Sequence, residues 1–450
     1  MLDTIAAIST AFGKGALSIV RMSGSEAIEI ANKVFRGKNL KKVKSHTVHY
    51  GHIINENKEI IDEVLVTVFK APKTFTREDV VEISCHGGIF VTNKILELLL
   101  SSGARLAEPG EFTKRAFMNG RIDLTQAEAV SDLIEARTQS SLKMANMGLR
   151  GDIRKLIESF RSDILTCIAR IEVNIDYPEY EDEEEITTGL LIPIITKLLK
   201  SIDEIIEKSE TSQIIKEGID TAIIGKPNVG KSSLLNSLLR QNKAIVTNIA
   251  GTTRDVVEGV VNVGGVILNL IDTAGIRETK DVVERIGVEK TKEVLKDAQL
   301  VILVFDYSSE LEPQDLELLE STKDKTRIIV INKSDLNKKI DLSVFDDYIL
   351  ISTFNHEDIE KVENKIKEIT NISDITEIDS TYMGNARHIA KLKEAKRHLE
   401  SALSSAEVGE VIDMINIDLT LAWQALGEII GENNPEALLD ELFSKFCLGK

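Results

Sequence analysis

The 450 residues include 55 Lys and Arg against 73 Asp and Glu, a formal net charge of −18 with His neutral. That balance argues against a protein that coats nucleic acid non-specifically and leaves only a local basic surface for docking a structured RNA. The length predicts two to four domains, and the lack of any apolar stretch of about 18 residues or of a signal peptide predicts a cytoplasmic protein with no membrane span.

Residues 1–118 read as mixed α/β, with strand-like runs at Ala16–Arg21, Glu63–Phe69 and Val80–Ser84 and a helix over the apolar run Ile89–Leu100. From 119 to 215 the pattern turns helical. Leu191, Ile194, Ile195, Leu198, Leu199, Ile202, Ile205 and Ile206 recur at helical spacing, a stripe expected to form a core or bundle interface. Asp176–Glu185 holds seven acidic residues around Pro178 and reads as a solvated loop. Cys85, Cys167 and Cys447 are too few and too widely spaced for a disulfide framework or a zinc site.

The apolar run Thr221–Ile224 leads into Gly225-Lys226-Pro227-Asn228-Val229-Gly230-Lys231-Ser232. This is G-x-x-x-x-G-K-[ST], a strand–loop–helix cradle in which backbone N–H groups and the helix N-terminus surround phosphates. Lys231 is expected to reach the β- and γ-phosphates and the Ser232 hydroxyl to ligate Mg²⁺. Gly251-Thr252-Thr253-Arg254-Asp255 resembles a first switch, with Thr253 the second hydroxyl ligand of Mg²⁺. Asp272-Thr273-Ala274-Gly275 follows the strand-like run Val266–Ile271, and Asn332-Lys333-Ser334-Asp335 follows Ile328–Ile331. The last resembles the N-K-x-D element of translation-factor-related GTPases, in which Asp accepts two hydrogen bonds from guanine. It implies GTP rather than ATP. Ile276 stands where Ras-like proteins place the water-orienting Gln, so another group must orient water. Asn228 can either help coordinate a monovalent cation or make a turn hydrogen bond.

Helical patterning resumes from Asn385. The sequence thus predicts a GTPase unit over 216–372 inserted between helical segments 119–215 and 373–450, with strands and helices alternating as in a mostly parallel sheet. Arg387, His388, Lys391, Lys393, Lys396 and Arg397 cluster on one predicted helix, either as a solvated face or as a phosphate-contact surface for RNA.

Further segments carry a resemblance along the whole chain. Asp3–Ala7, Gly13-Lys14-Gly15, Ser18–Gly24, Glu78–Ile83 with His86-Gly87-Gly88, Pro109–Phe117, Gly120–Ala129 and the final Phe446-Cys447-Leu448-Gly449-Lys450 resemble the motifs of the MnmE (TrmE) family of tRNA modification GTPases. The resemblance implies an N-terminal tetrahydrofolate-binding α/β domain that dimerises, a helical domain, and a P-loop GTPase inserted into the latter. It implies a homodimer that acts with the FAD-containing protein MnmG, as a heterotetramer, to install carboxymethylaminomethyl or aminomethyl groups at carbon 5 of the wobble uridine in certain tRNAs. A tetrahydrofolate derivative, 5-formyl or 5,10-methylene, would supply the one-carbon unit. FAD is expected on the partner only.

Carried onto matching positions, the resemblance implies GTP contacts from Asn228, Val229, Gly230, Lys231, Ser232 and Ser233. Further contacts would come from Thr247, Asn248, Ile249, Ala250, Gly251, Thr252 and Thr253, from Asp272, Thr273, Ala274 and Gly275, and from Asn332, Lys333 and Asp335. It puts K⁺ near Asn228, with further oxygens from Thr247, Ile249 and Thr252. It makes Glu284 the residue that orients the attacking water. Arg21, Glu82, Arg121 and Lys450 are implied to bind folate, and Cys447 to take part in the modification chemistry. Arg121 stands where Lys is common, Arg77 replaces the usual Gly of F-T-G-E-D, and Ser352-Thr353-Phe354 is a loose form of the guanine-contacting S-A-x loop. The alternative reading is a GTP-switched ribosome-assembly factor, a class with no reason to carry the folate-like segments or Cys447.

Overall fold

The computed structural model describes residues 3–176, 182–241, 257–271, 294–370, 379, 381–409, 411–432 and 434–449. Two compact units divide the chain, one of Met1–Ile134, Gly148–Leu165 and Trp423–Lys450, the other of Glu135–Met147 and Thr166–Ala422.

The first unit is built on seven strands, β1 (Ile5–Ile8), β2 (Leu17–Ser23), β3 (Phe35–Arg36), β4 (Thr47–Ile54), β5 (Ile60–Phe69), β6 (Val80–His86) and β7 (Arg105–Leu106). Their order is β3-β4-β5-β6-β2-β1-β7, antiparallel except for the β1–β7 edge. Side chains alternate between faces. Val20 and Met22 of β2, Val66 and Val68 of β5 and Val81 and Ile83 of β6 join one core with Ile28, Ile30 and Ala31 of helix Ala27–Val34 and with Ile95, Leu98 and Leu99 of helix Ile89–Ser101. The odd-numbered β2 position Arg21 and the even-numbered β6 position Glu82 therefore belong to the opposite face, where they are paired in register. The strands expected around Ala16–Arg21, Glu63–Phe69 and Val80–Ser84 are β2, β5 and β6. Strand β4 escapes a sequence reading because its run TVHYGHII is rich in His and broken by Gly51, so the apolar alternation is weak.

One end of this sheet is tied by a buried guanidinium. Arg115 donates to the Asp3 carbonyl at 2.8 Å and lies 3.0 Å from the Asp3 carboxylate, 3.2 Å from Glu78 and 2.9 Å from Glu111, with its side chain 4 % exposed. Arg105 bridges the same Asp3 and Glu111 carboxylates. Burial opposes ionisation of Glu111, yet hydrogen bonds from Arg105, the Glu108 N–H and Arg115 hold its pKa below the usual carboxylate range. The Arg105 hydrogen bond does the same for Asp3. Because the folded-state pKa values are depressed, the stabilisation is fully present above about pH 4–5 and is lost as pH falls through the folded values. Arg115→Met is expected to cost about 3–5 kcal/mol by stranding buried carboxylates, read as a lowered urea midpoint with unchanged slope. The deficit should shrink as pH is lowered toward 4, because protonated carboxyls no longer need the cation.

The second unit contains a six-stranded sheet ordered β13-β12-β11-β8-β10-β9, with β8 (Ile219–Ile224), β9 (Val257–Val263), β10 (Val266–Ile271), β11 (Leu300–Asp306), β12 (Thr326–Asn332) and β13 (Ile349–Leu350). All pairings are parallel except the β9–β10 hairpin, which turns at Gly264 and Gly265 with φ of +57° and +96°, the conformation that a tight hairpin demands. Both faces are covered. Ile223, Leu268, Ile302, Val304 and Val330 enter one core and Ala222, Val301, Leu303, Phe305 and Ile331 the other, so the strands read as continuous apolar runs.

The expected helical stripe is part of helix Asp182–Glu217, which packs along helix Ala386–Val408. Leu191, Ile195, Leu198, Ile202 and Ile205 are buried, while Ile194, Leu199 and Ile206 are only partly so. The buried seam is thus narrower than the apolar stripe. The acidic run departs from expectation: Asp182–Glu185 belongs to this helix instead of lying in a loop. Pro178 lies outside the described residues. The basic cluster is also less free than its sequence implies. His388 is buried, Lys391 meets Glu394 at 2.8 Å, and Lys396 meets Asp203 at 2.6 Å. Among the described residues no helix is long and apolar enough to cross a membrane.

Candidate functional site

Loops at the carboxyl ends of β8, β11, β12 and β13 assemble the nucleotide cradle, the usual position for ligands on an open parallel sheet. Two glycines are dictated by space. A Cβ on Gly225 would strike the Val304 carbonyl of β11, and one on Gly230, at φ +102°, would strike the Asn332 amide nitrogen. Asn228 holds φ +65°, a left-handed conformation that Asn tolerates better than most residues. Lys231 opens helix Lys231–Gln241 and folds back over the loop, its Nζ donating to the Gly225 carbonyl at 2.7 Å and to the Lys226 carbonyl at 2.8 Å. Burial pushes its pKa down. Ser232 and Ser233 follow in the first turn and are exposed.

The N-K-x-D residues divide their work. Asn332 is buried; its Nδ2 donates to the Val229 carbonyl at 3.0 Å and its Oδ1 accepts from the Thr353 N–H at 3.3 Å. It therefore staples the phosphate loop to the turn after β13. Lys333, at φ +65°, places its ammonium 2.5 Å from Asp306 at the end of β11. Asp335 Oδ1 accepts from the Ser352 hydroxyl at 2.7 Å, and the Ser352 N–H donates to Asp358 at 2.9 Å. The loose Ser352-Thr353-Phe354 segment is thus fastened to both Asn332 and Asp335. Lys226, inside the phosphate loop, pairs with Asp315 at 2.7 Å and Glu312 at 3.1 Å. Sequence reasoning passed over Asp306, Asp358 and the Lys226–Asp315 pair. An acid closing the apolar run Leu300–Asp306 was the available signal for the first; Asp358 meets Ser352 across a local turn, and the Lys226–Asp315 pair is a long-range contact with no signal. Thr247–Thr253, Asp272–Gly275, Glu284 and Lys450 lie outside the described residues.

A second site lies within the first unit. A cavity of about 980 Å³ is lined by Arg21, Glu82 and Arg121, with His46, Lys73 and Arg77 also on its wall. Arg21 Nε donates to Glu82 Oε1 at 2.8 Å and Nη2 lies 2.7 Å from the same oxygen. Arg21 Nη1 also donates to the Gly449 carbonyl at 3.4 Å, which accepts from the Ser9 hydroxyl at 3.1 Å. The Gly110 N–H donates to the Cys447 carbonyl at 3.3 Å, and the Cys447 side chain is exposed. The C-terminal segment is therefore fastened at Cys447 itself and at Gly449, the latter by a cavity residue. Residues 100 positions apart in sequence, Arg21 and Arg121, share the cavity because β2 and the segment after helix Glu111–Met118 border the same open sheet face.

Two family models match the chain, "GTP-binding protein TrmE N-terminus" over residues 4–121 and "MnmE helical domain" over residues 124–447. The tRNA modification GTPase MnmE of Bacillus licheniformis is 54 % identical over 459 residues, covering 100 % of both chains. That of Streptococcus thermophilus is 54 % identical over 100 % of this chain and 98 % of its own, and that of Bacillus subtilis is 53 % identical over 100 % of both. Identity at this level over full length, together with both family models, places the chain in the MnmE (TrmE) family of tRNA modification GTPases.

Proposed function

We propose that the protein is the potassium-activated, GTP-hydrolysing subunit of a complex that modifies carbon 5 of the tRNA wobble uridine, acting as a homodimer with an FAD-containing MnmG-type partner and a tetrahydrofolate one-carbon donor. The observation that carries this reading is the convergence of Arg21, Glu82 and Arg121 on one cavity beside the Cys447 segment, in a chain that also carries the nucleotide cradle. A GTP-switched assembly factor would need the cradle alone. In this reading residues 1–118 bind folate and dimerise, 216–372 hydrolyse GTP, and 119–215 with 373–450 form the helical domain.

The cradle residues suit a nucleoside triphosphate. Gly225 and Gly230 leave room only for backbone, and the Lys231 ammonium waits on two carbonyls that phosphate oxygens can replace. Mg²⁺ would be held by Ser232 and Thr253 and would offset charge on the phosphates. K⁺ would be held by Asn228, Thr247, Ile249 and Thr252 and would add positive charge where an arginine finger otherwise does. Glu284 supplies the carboxylate that orients the attacking water, a task Ile276 has no polar atom to perform. In the cavity, Glu82 offers acceptors to the donor edge of a pterin, Arg21 and Arg121 offer charge-assisted donors, and Lys450 adds a further cation. A bound folate would supply the one-carbon unit. Cys447 would take part in the modification chemistry as a thiolate nucleophile.

Calorimetry with 5-formyltetrahydrofolate tests the reading without MnmG or tRNA. Saturable binding is expected, falling by roughly 10- to 100-fold in Arg21→Ala and in Glu82→Ala, the scale of one or two charge-assisted hydrogen bonds, while GDP binding stays unchanged. No binding by folded wild-type protein would overturn it.

A further inference from the structure

The rim of the N-terminal cavity concentrates positive charge in a chain whose net charge is −18. Lys73, Arg77 and Arg121 all line it, and among the described residues none of the three forms an ion pair. The acids near them in sequence are engaged elsewhere. Glu82 serves Arg21, Glu78 serves Arg115 and the Ser23 hydroxyl, and Asp79 accepts from the Ala71 N–H.

Two of these cations are brought to one edge by the backbone. Arg77 Nη1 donates to the Asn119 carbonyl at 2.8 Å, and Asn119 Nδ2 donates back to the Thr76 carbonyl at 2.6 Å. This reciprocal pair locks the 76–77 turn to the 119–120 turn, directly before Arg121. Arg77 Nη1 lies 3.5 Å from where a Cβ on Gly120 would stand. Arg77 itself sits at φ +59°, a left-handed conformation that disfavours a branched L-residue and favours Gly. An arginine held there, on the same cavity wall as Arg121 and with no ion-pair partner for either among the described residues, leaves both guanidinium charges available to an anion.

We propose that Lys73, Arg77 and Arg121 form a subsite for the anionic tail of the cavity ligand, so that the preferred ligand is a folate bearing a chain of γ-linked glutamates. This rests on the folate reading above, and deepens it by naming the form of the ligand. The pterin end is held by Arg21 and Glu82, and each added glutamate brings one more carboxylate to the rim.

The test is calorimetry of the full-length protein with 5-formyltetrahydrofolate as its monoglutamate and as its triglutamate, in 50 and 250 mM KCl. The triglutamate is expected to bind about tenfold more tightly at low salt, from its exposed charge pairs, and to lose most of that advantage at high salt. Lys73→Gln and Arg77→Gly should each cut the advantage to about threefold or less, with monoglutamate binding within about twofold of wild type. Arg77→Gly relieves the left-handed backbone but gives up the hydrogen bond to the Asn119 carbonyl, so an unchanged urea midpoint is the control that its loss of selectivity does not come from unfolding. Equal binding of the two ligands by wild-type protein would overturn the tail subsite and leave the folate reading standing. Binding of neither would overturn both.

Discussion

Asp335→Asn is expected to weaken GTP and GDP binding by roughly 10²- to 10⁴-fold, from about 1.5–3 kcal/mol for each of two hydrogen bonds to a charged acceptor. Asp335 already accepts from the Ser352 hydroxyl at 2.7 Å through Oδ1, and a carboxylate has lone pairs left to receive the N–H groups on one edge of guanine. The Asn amide turns a donor toward one of those N–H groups. Xanthine carries an oxygen at the corresponding carbon, so the variant should prefer xanthosine nucleotides over guanosine ones. Displacement of a fluorescent GDP by GTP and by XTP measures both changes. If Asp335→Asn keeps wild-type GTP affinity, the base is not read by this carboxylate. Ser352→Ala should have a much smaller effect, because it removes a group that positions Asp335 without touching the base.

Glu284→Ala should lower the turnover number for GTP by about 10²- to 10⁴-fold, the usual contribution of a positioned group that handles the proton or orientation of a nucleophile. Nucleotide affinity should change by less than about twofold, since the carboxylate is assigned to the attacking water and not to GTP itself. Phosphate release at saturating GTP, measured in KCl and again in NaCl, gives both this result and the cation dependence. Turnover by wild-type protein should fall sharply in NaCl. Equal rates in the two salts would remove K⁺ from the site, and an undiminished rate for Glu284→Ala would pass the water-orienting role to another group.

How much of this was legible beforehand depended on whether a residue's role is local. The phosphate loop reads from eight consecutive residues because its chemistry is a local backbone conformation, and Gly225, Asn228 and Gly230 adopt the special geometry that such a loop needs. Strands β2, β6, β8, β10 and β12 were likewise marked by their own apolar runs. Strand β4 was not, because its inward face carries His49 and Gly51 before Ile53 and its stability comes from pairing with β5. The acidic stretch shows the same limit from the other side. Its composition suggested a loop, whereas Asp182–Glu185 belong to a long helix whose buried seam against helix Ala386–Val408 lies further along the chain.

Side-chain identity by itself determined that this protein carries a guanine-nucleotide cradle, a parallel α/β unit, flanking helices and the motifs of its family. Each of these rests on residues close together in sequence. Only the tertiary structure decided that Asn332 acts as a staple between two loops, that Lys226 is held by Asp315, and that Lys396 of the basic helix is paired with Asp203. It also decided that Arg21, Arg77 and Arg121 meet at one cavity. These are contacts between residues tens to hundreds of positions apart, set by strand register and by which turns lock together. A charge in the sequence has no partner until the fold supplies one, and so no sequence pattern could say which cations would be neutralised and which left to face a ligand.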